Sequence, residues 1–344
     1  MMQQDGGKSQ FAPLPSQVQD LAFRVIKTIR TRGQGASGHF WSPSITDAGN
    51  GTFMIKSHLR IFASSLPRFL PVIAVILISA GMAVSPSAAS GRLEIMVSVP
   101  PQAFFVEKIG GERVNVRIMI PGHVDHDTYE PTPRQMITLS RTDIYFKLGP
   151  PHFPFETRYI DPAAGRLKKL RIVNMSEGIS LIGEDPHFWM SPLSVRQAAA
   201  NVSRALSAAD PEARLIYEKN LSRFLQEIDD LDRRIREMMA GMEGRTFLIF
   251  HPALGYFAAR YGLNQVSIET EGKPPSAAHL RDVIRLAREK RIRTILVQRG
   301  FDRKSATAVA REIGAKLVEI DDLDRDWIKG MARTAESVRK ALGR

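Results

Sequence analysis

Four short segments of this chain place imidazole and carboxylate side chains beside turn-forming residues. In order they are 122–133 (GHVDHDTYEPTP), 185–192 (DPHFWMSP), 250–257 (FHPALGYF) and 318–323 (VEIDDL). Imidazole nitrogen with carboxylate oxygen is a donor set suited to a borderline divalent metal such as zinc. Cysteine is absent from the 344 residues, so a thiolate site is impossible and any ligands must be His, Asp, Glu or carbonyl groups. The candidate metal ligands are His126, His187, His251 and Asp321, with Asp322 as the adjacent rival of the last. A lone His is more often a surface or hydrogen-bonded core residue than a ligand. It is their joint placement that carries the reading.

That placement follows from the elements around them. From Leu93 the chain alternates short β-rich runs with helical stretches. Residues 93–99, 114–120, 143–148 and 170–174 read as strands, with helix-compatible stretches near 103–109 and 132–140. A second set begins at Thr246, with strands at 246–250, 265–268, 294–297 and 316–320 and helices over about 276–290 and 305–313. Such alternation implies parallel sheets covered by helices, so the expected class is α/β with two parallel-sheet lobes. His126 follows the strand ending near Ile120, His251 follows the one ending at Phe250, and Asp321 follows the one ending at Ile320. His187 precedes a helix that opens at Ser191. In open α/β sheets, ligands bind outside the carboxyl ends of strands. Two candidates in each lobe therefore put a metal in the cleft between them.

Between the two sets lies one long helical stretch. Asp210 suits an N-cap and Pro211 a first turn, and apolar residues recur in steps of three or four from Tyr217 through Leu221, Phe224, Leu225, Ile228, Leu231 and Ile235 to Met238. If continuous over 212–240, this helix is about 43 Å long, enough to run the length of a small two-lobed protein. A coiled-coil dimer is the competing reading of the same stripe. One segment of about four heptads between α/β lobes packs more often within its own chain, so a monomer is expected. The domain plan is then an extension at 1–53, a signal peptide at 54–89, a first lobe at 93–210, the linking helix at 211–243 and a second lobe at 244–344.

Charge excludes one class of partner. The formal net charge is +12, but residues 1–92 hold half of it. The remainder has no run of five basic residues and no aromatics interleaved with basic ones, so no nucleic-acid partner is expected. Lys56, Arg60 and Arg68 precede an uncharged apolar run at 69–84, and Ser87-Ala88-Ala89 supplies the small residues of a cleavage site. These are the parts of an export signal cleaved after Ala89; the rival reading, a membrane anchor, usually needs about 20 apolar residues. Residues 1–53 precede Met54 and are read as a disordered or mis-assigned extension without fold. An exported chain without cysteine has neither a disulfide framework nor a lipid-modified Cys, which fits a soluble periplasmic protein.

The order and wording of the four segments resemble the zinc and manganese substrate-binding proteins of bacterial ABC importers. The resemblance spans essentially the whole mature chain, from Val97 through a closing helix at about 326–342, and YEPTP, DPHFWMSP and HPALGYF are specific in combination. It implies two α/β lobes joined by one long rigid helix, with the metal held between them by His126, His187, His251 and Asp321. It favours Asp321 over Asp322 because Leu323 then falls at the family's apolar position. A His at the third position implies zinc as cargo, with manganese or iron the alternative, and the implied partner is a membrane permease. Two departures stand out. The spacing before Tyr129 has one extra residue, which leaves Asp127 as a carboxylate rival to His126, and His126 is preferred because imidazole binds zinc well at neutral pH. The His-rich acidic loop of many zinc members is absent: His152 alone lies between His126 and His187.

The expected mechanism is capture without reaction. Four protein ligands close a tetrahedral zinc shell and leave no position for an activated water. Each His must be neutral to bind, so affinity should fall below about pH 6.5. The rival class, a zinc hydrolase with Glu130 or Glu269 as base, requires an open position, and no HExxH pair is present. A metal-dependent adhesin on the same fold is a third reading. His123, His152 and His279 are expected at the surface, and Tyr129, Trp189 and Tyr256 as packing residues that exclude water.

Overall fold

The computed structural model describes residues 91–149, 153–269, 275–301 and 303–343. The expected extension at 1–53 and the expected signal peptide at 54–89 lie outside them. Among the described residues no helix is long and apolar enough to cross a membrane.

Two four-stranded parallel sheets are built on one plan. The first comprises β1 (Leu93–Val97), β2 (Val114–Ile118), β3 (Ile144–Lys147) and β4 (Arg171–Asn174) in the order β2-β1-β3-β4. The second comprises β5 (Thr246–Ile249), β6 (Asn264–Ser267), β7 (Thr294–Gln298) and β8 (Lys316–Ile320) in the order β6-β5-β7-β8. Central strands such as β7, TILVQ, are buried along nearly their whole length. A parallel strand covered by helices on both faces requires such an apolar run. In each sheet the order reverses beside the first strand, so a crevice opens at the carboxyl ends of β1 and β3 and of β5 and β7.

Helices begin where proline and capping residues dictate. In the first lobe α1 (Pro100–Gly110), α2 (Pro133–Leu139) and α4 (Pro192–Ala209) each carry proline in the first turn, where its missing N–H costs nothing. Thr132 caps α2, its hydroxyl accepting from the Gln135 N–H. A π-helical turn, Glu156–Ile160, runs into the short α3 (Asp161–Ala164), a segment without periodicity legible in the sequence. In the second lobe lie α6 (Gly255–Tyr261), α7 (Ala277–Glu289), α8 (Lys304–Ile313) and α9 (Trp327–Leu342).

The linking helix is α5 (Arg214–Met239), preceded by a single 3-10 turn at Pro211–Ala213. It begins two residues later than the expected continuous helix because Pro211 and Glu212 belong to that tighter turn. At 26 residues it is about 39 Å long. Tyr217, Phe224, Ile228, Leu231, Ile235 and Met239 form its buried stripe. They face α1 and α4 of the first lobe and α9 of the second. One hydrophobic core therefore runs from the first sheet through α5 into α9, and a smaller one lies within the second lobe around β5, β7, α7 and α8. The fold is two parallel-sheet α/β lobes with a long helix between them, as expected.

Candidate metal centre

Three of the four predicted ligands meet. His126 lies in the loop from β2 to α2, whose start is held as an extension of the sheet by Met119 N–H to Val97 O (2.9 Å) and Ile120 N–H to Ser98 O (2.9 Å). The Asp125 carboxylate then accepts from the Asp127 N–H at 2.9 Å, turning the chain around His126. His187 follows Asp185-Pro186 and enters a 3-10 turn, Phe188–Met190, that leads into α4. His251 follows β5 at the reversal point of the second sheet. The Gln298 side chain at the end of β7 clamps its backbone, donating from Nε2 to His251 O (2.6 Å) and accepting from His251 N–H (3.3 Å).

The three rings converge through their Nε2 atoms. His126 Nε2 is 3.0 Å from His187 Nε2, and His251 Nε2 is 3.3 Å from His187 Nε2. A tetrahedral zinc ion with bonds of about 2.0–2.1 Å needs about 3.3 Å between its ligand atoms. Both separations suit two edges of such a shell, and the ligand atoms of the three rings all lie within 4.8 Å of one another, so the cluster could hold a small cation. All three rings are almost fully buried. Phe301 stacks on His251 with ring centroids 4.7 Å apart and meets His126 edge-on at 5.8 Å, and Phe153 meets His126 at 5.9 Å. The surround is aromatic and dry.

The outer nitrogens have carboxylate neighbours. His187 Nδ1 is 2.7 Å from Asp185 Oδ1, and His251 Nδ1 is 3.1 Å from Glu269 Oε2. A carboxylate on Nδ1 holds the proton there and turns the Nε2 lone pair toward a metal. His126 Nδ1 has no hydrogen-bond partner, and its nearest carboxylate oxygens are 3.6 Å (Asp127) and 4.0 Å (Asp125) away.

Burial sets the proton affinities. It pulls His126 down to about 4 against the opposing charge of Asp127, and it pulls His251 to about 4 with help from the charge of His187. Burial also acts to lower His187, but the hydrogen bond and charge of Asp185 outweigh it and hold this ring above the usual imidazole value. Asp127 is buried too, which acts to raise it, yet the three rings hold it below the usual carboxylate value. Glu269 is pushed up to about 7 by burial and by the charges of Asp127 and Asp125. At neutral pH two of the three imidazoles are thus ready to donate to a metal.

Asp321 is not brought to the triad. Its carboxylate accepts from Arg299 Nη1 (2.9 Å) and from the Leu323 N–H (3.2 Å). Arg299 also reaches Glu319, so Glu319 and Asp321 share the outer face of the strand end, as residues two apart must. Ile320 and Asp322 take the other face, and both are buried. Among the described residues Asp322 Oδ2 has no hydrogen-bond partner, and the charge of this carboxylate acts on all three histidines. The inward residue at this position is therefore Asp322.

Other expected residues divide. Trp189 lies against His187, with ring centroids 5.0 Å apart, and is fully buried. Tyr256 of the second lobe accepts from the Ile182 N–H of the first at 3.1 Å. Tyr129 is away from the triad, its hydroxyl donating to Gln135 Oε1. His123 is exposed, and His152 lies outside the described residues. His279 is half-buried with Nε2 3.0 Å from Ser267 O, so it is a structural residue and not a plain surface one. Asp185, Glu269 as partner of His251, and Phe301 were not anticipated in these roles. Asp185, two residues before His187, carried a signal as an acceptor beside a ligand.

The chain is similar to known proteins over most of the described residues. The family described as the periplasmic zinc-uptake complex component A, ZnuA, matches residues 95–341. The high-affinity zinc uptake system protein ZnuA of Bacillus subtilis is 27% identical over 260 residues, covering 68% of this chain and 79% of that protein. A crystal structure of ZnuA superposes with a TM-score of 0.70 at 34% identity, covering 73% of this chain and all of that one. A zinc-bound 138–173 deletion mutant of ZnuA gives 0.69 at 34% identity, covering 74% of this chain and 99% of that one. The chain therefore belongs to the periplasmic zinc-uptake complex component A family.

Proposed function

We propose that this protein captures one divalent transition-metal ion, zinc, in the periplasm and delivers it to the membrane permease of an ABC importer. The observation that carries the reading is the convergence of three buried Nε2 atoms at 3.0 and 3.3 Å. Asp322 is the fourth ligand in this reading: its buried oxygen, unpartnered among the described residues, calls for a cation or a donor, and its charge already acts on all three rings. The resulting set of three nitrogens and one oxygen closes a tetrahedron. Imidazoles favour zinc over manganese, which prefers oxygen-rich sites. A closed shell offers no coordination position for an activated water, so the role is capture and transfer, with no chemical turnover.

The capture step uses few moving parts. Burial keeps His126 and His251 neutral, Asp185 and Glu269 aim two of the rings, and Phe301 with Phe153 excludes water. The shared core along α5 supports a limited hinge between the lobes as the means of closing on the ion. Metal analysis of protein recovered from its own export compartment tests the reading. One zinc per chain is expected, lost in His187→Ala and in His251→Ala. Retention of zinc by both variants contradicts it.

A further inference from the structure

Two tryptophans tie the metal centre to the linking helix. Trp189 stands two residues after His187, and its indole Nε1–H donates to the main-chain carbonyl of Asp322 at 2.8 Å. Trp327, the first residue of α9, donates from its own Nε1–H to the carbonyl of Trp189 at 2.7 Å. Both side chains are buried. The Trp327 ring meets Phe105 of α1 edge-on at 5.2 Å and Phe224 of α5 at 6.4 Å, and Phe105 and Phe224 lie 6.0 Å apart. An unbroken aromatic and hydrogen-bonded path thus runs from α5 through Trp327 and Trp189 to the Asp322 backbone.

Resting on the reading of Asp322 as fourth ligand, we infer that Trp189 and Trp327 are positioning residues: Trp189 holds the Asp322 backbone so that its carboxylate faces the histidine triad, and Trp327 holds Trp189. The physical basis is the exchange of partners. Asp321 is fixed outward by Arg299, whereas the Asp322 side chain has an oxygen with no partner and nothing else to orient it. Its direction must come from the backbone, and among the described residues the one side-chain donor to that backbone carbonyl is the Trp189 indole. Phenylalanine at position 189 would keep most of the ring packing against His187 while leaving a buried carbonyl unpaired, a loss that drives the loop to rearrange. The same indole ring beside His187 couples the positions of the second and fourth ligands.

Cobalt(II) is the probe, because its visible absorption is intense in four-coordinate sites and weak in five- or six-coordinate ones. In the full mature chain the unaltered protein is expected to give the intense spectrum. Trp189→Phe is expected to keep one cobalt per chain, lose the four-coordinate spectrum and weaken zinc about 10–100-fold, as Asp322→Ala does. Because both act through one ligand, Trp189→Phe with Asp322→Ala is expected to cost no more than Asp322→Ala alone. Trp327→Phe, farther from the metal, is expected to move the spectrum in the same direction, and it decides the matter if Trp189→Phe does not fold. Unchanged spectra and affinity in a folded Trp variant, or losses that simply add, overturn the inference. Failure of the unaltered protein to bind one cobalt in a four-coordinate site contradicts the proposed function instead.

Discussion

His187 Nδ1 and Asp185 Oδ1 lie 2.7 Å apart, and the same carboxylate oxygen accepts from the His187 N–H at 2.8 Å. One oxygen thus fixes both the backbone turn and the tautomer of the central ligand, the ring whose Nε2 meets both of the others. Asp185→Asn should remove the charge that holds the His187 proton while keeping the side-chain shape. Zinc affinity is expected to fall about 10–100-fold, as measured by chelator competition, with one zinc still bound at saturation.

Of the three ligand rings, only His187 should shape the pH dependence of binding over most of its range, together with Glu269, which burial holds near 7 beside His251. His126 and His251 are held near 4, so they are unprotonated at pH 5 and above, while His187 keeps its proton at higher pH than an ordinary imidazole. Competition begins above the usual imidazole value, and as pH falls the His187 proton, joined by the one that Glu269 gains below about 7, opposes the metal, so the logarithm of affinity should fall by about one to two per pH unit. Only near pH 4 should the slope steepen as the other two rings take up protons. Isothermal titration across buffers of different ionisation heat reads the proton count. The expected fall keeps its direction but begins above pH 6.5, and of the three rings it involves His187 and not His126 or His251.

Gly300 is required where the two lobes touch beside the site. Its φ is +91°, and a Cβ there would lie 2.9 Å from the carbonyl oxygen of His123, at the base of the loop that carries His126. Gly300→Ala should therefore destabilise the metal-free protein by about 1–3 kcal/mol, read as a lower Tm. Because Phe301 follows directly and stacks on His251, faster zinc release should accompany it.

Glu156 gives the first lobe a pH-dependent stability of its own. Burial pushes this carboxyl up to about 7, although the Ser98 hydroxyl and the N–H groups of Leu148 and Gly149 all donate to it. Between about 4.5 and 7 the folded protein retains a proton that the unfolded chain has lost. The favourable contribution is thus fully present below about 4.5 and is lost as pH rises through 7, a change on the order of 3 kcal/mol. Urea unfolding of Glu156→Gln should show a flatter dependence than the unaltered protein across that window. Equal slopes would assign the effect elsewhere.

Most of this architecture is legible in the sequence because its signals are periodic. Strand runs such as 294–297 and the stripe from Tyr217 to Met238 bury continuous surfaces, and burial at that scale leaves a pattern in one dimension. The π-helical turn at Glu156–Ile160 and the short α3 left none, being set by the buried Glu156 contacts. Of the candidate site, the meeting of three histidines was legible. Choosing between Asp321 and Asp322 depended on which face of a strand end each occupies, and the apolar Ile320 two residues earlier was the usable sign that Asp322 points inward. The resemblance through Leu323 pointed the other way. Phe301 and the Glu269 contact to His251 arise from residues brought together by folding across 50 and 18 positions, which no local pattern encodes.

X-ray absorption at the zinc edge of the stoichiometrically loaded protein tests the central claim most directly. One zinc per chain is expected, with four nitrogen or oxygen neighbours at about 2.0–2.1 Å, three of them imidazoles, and a change of that shell in Asp322→Ala but not in Asp321→Ala. A shell with fewer than three imidazoles, or one altered by Asp321→Ala and indifferent to Asp322→Ala, would contradict it.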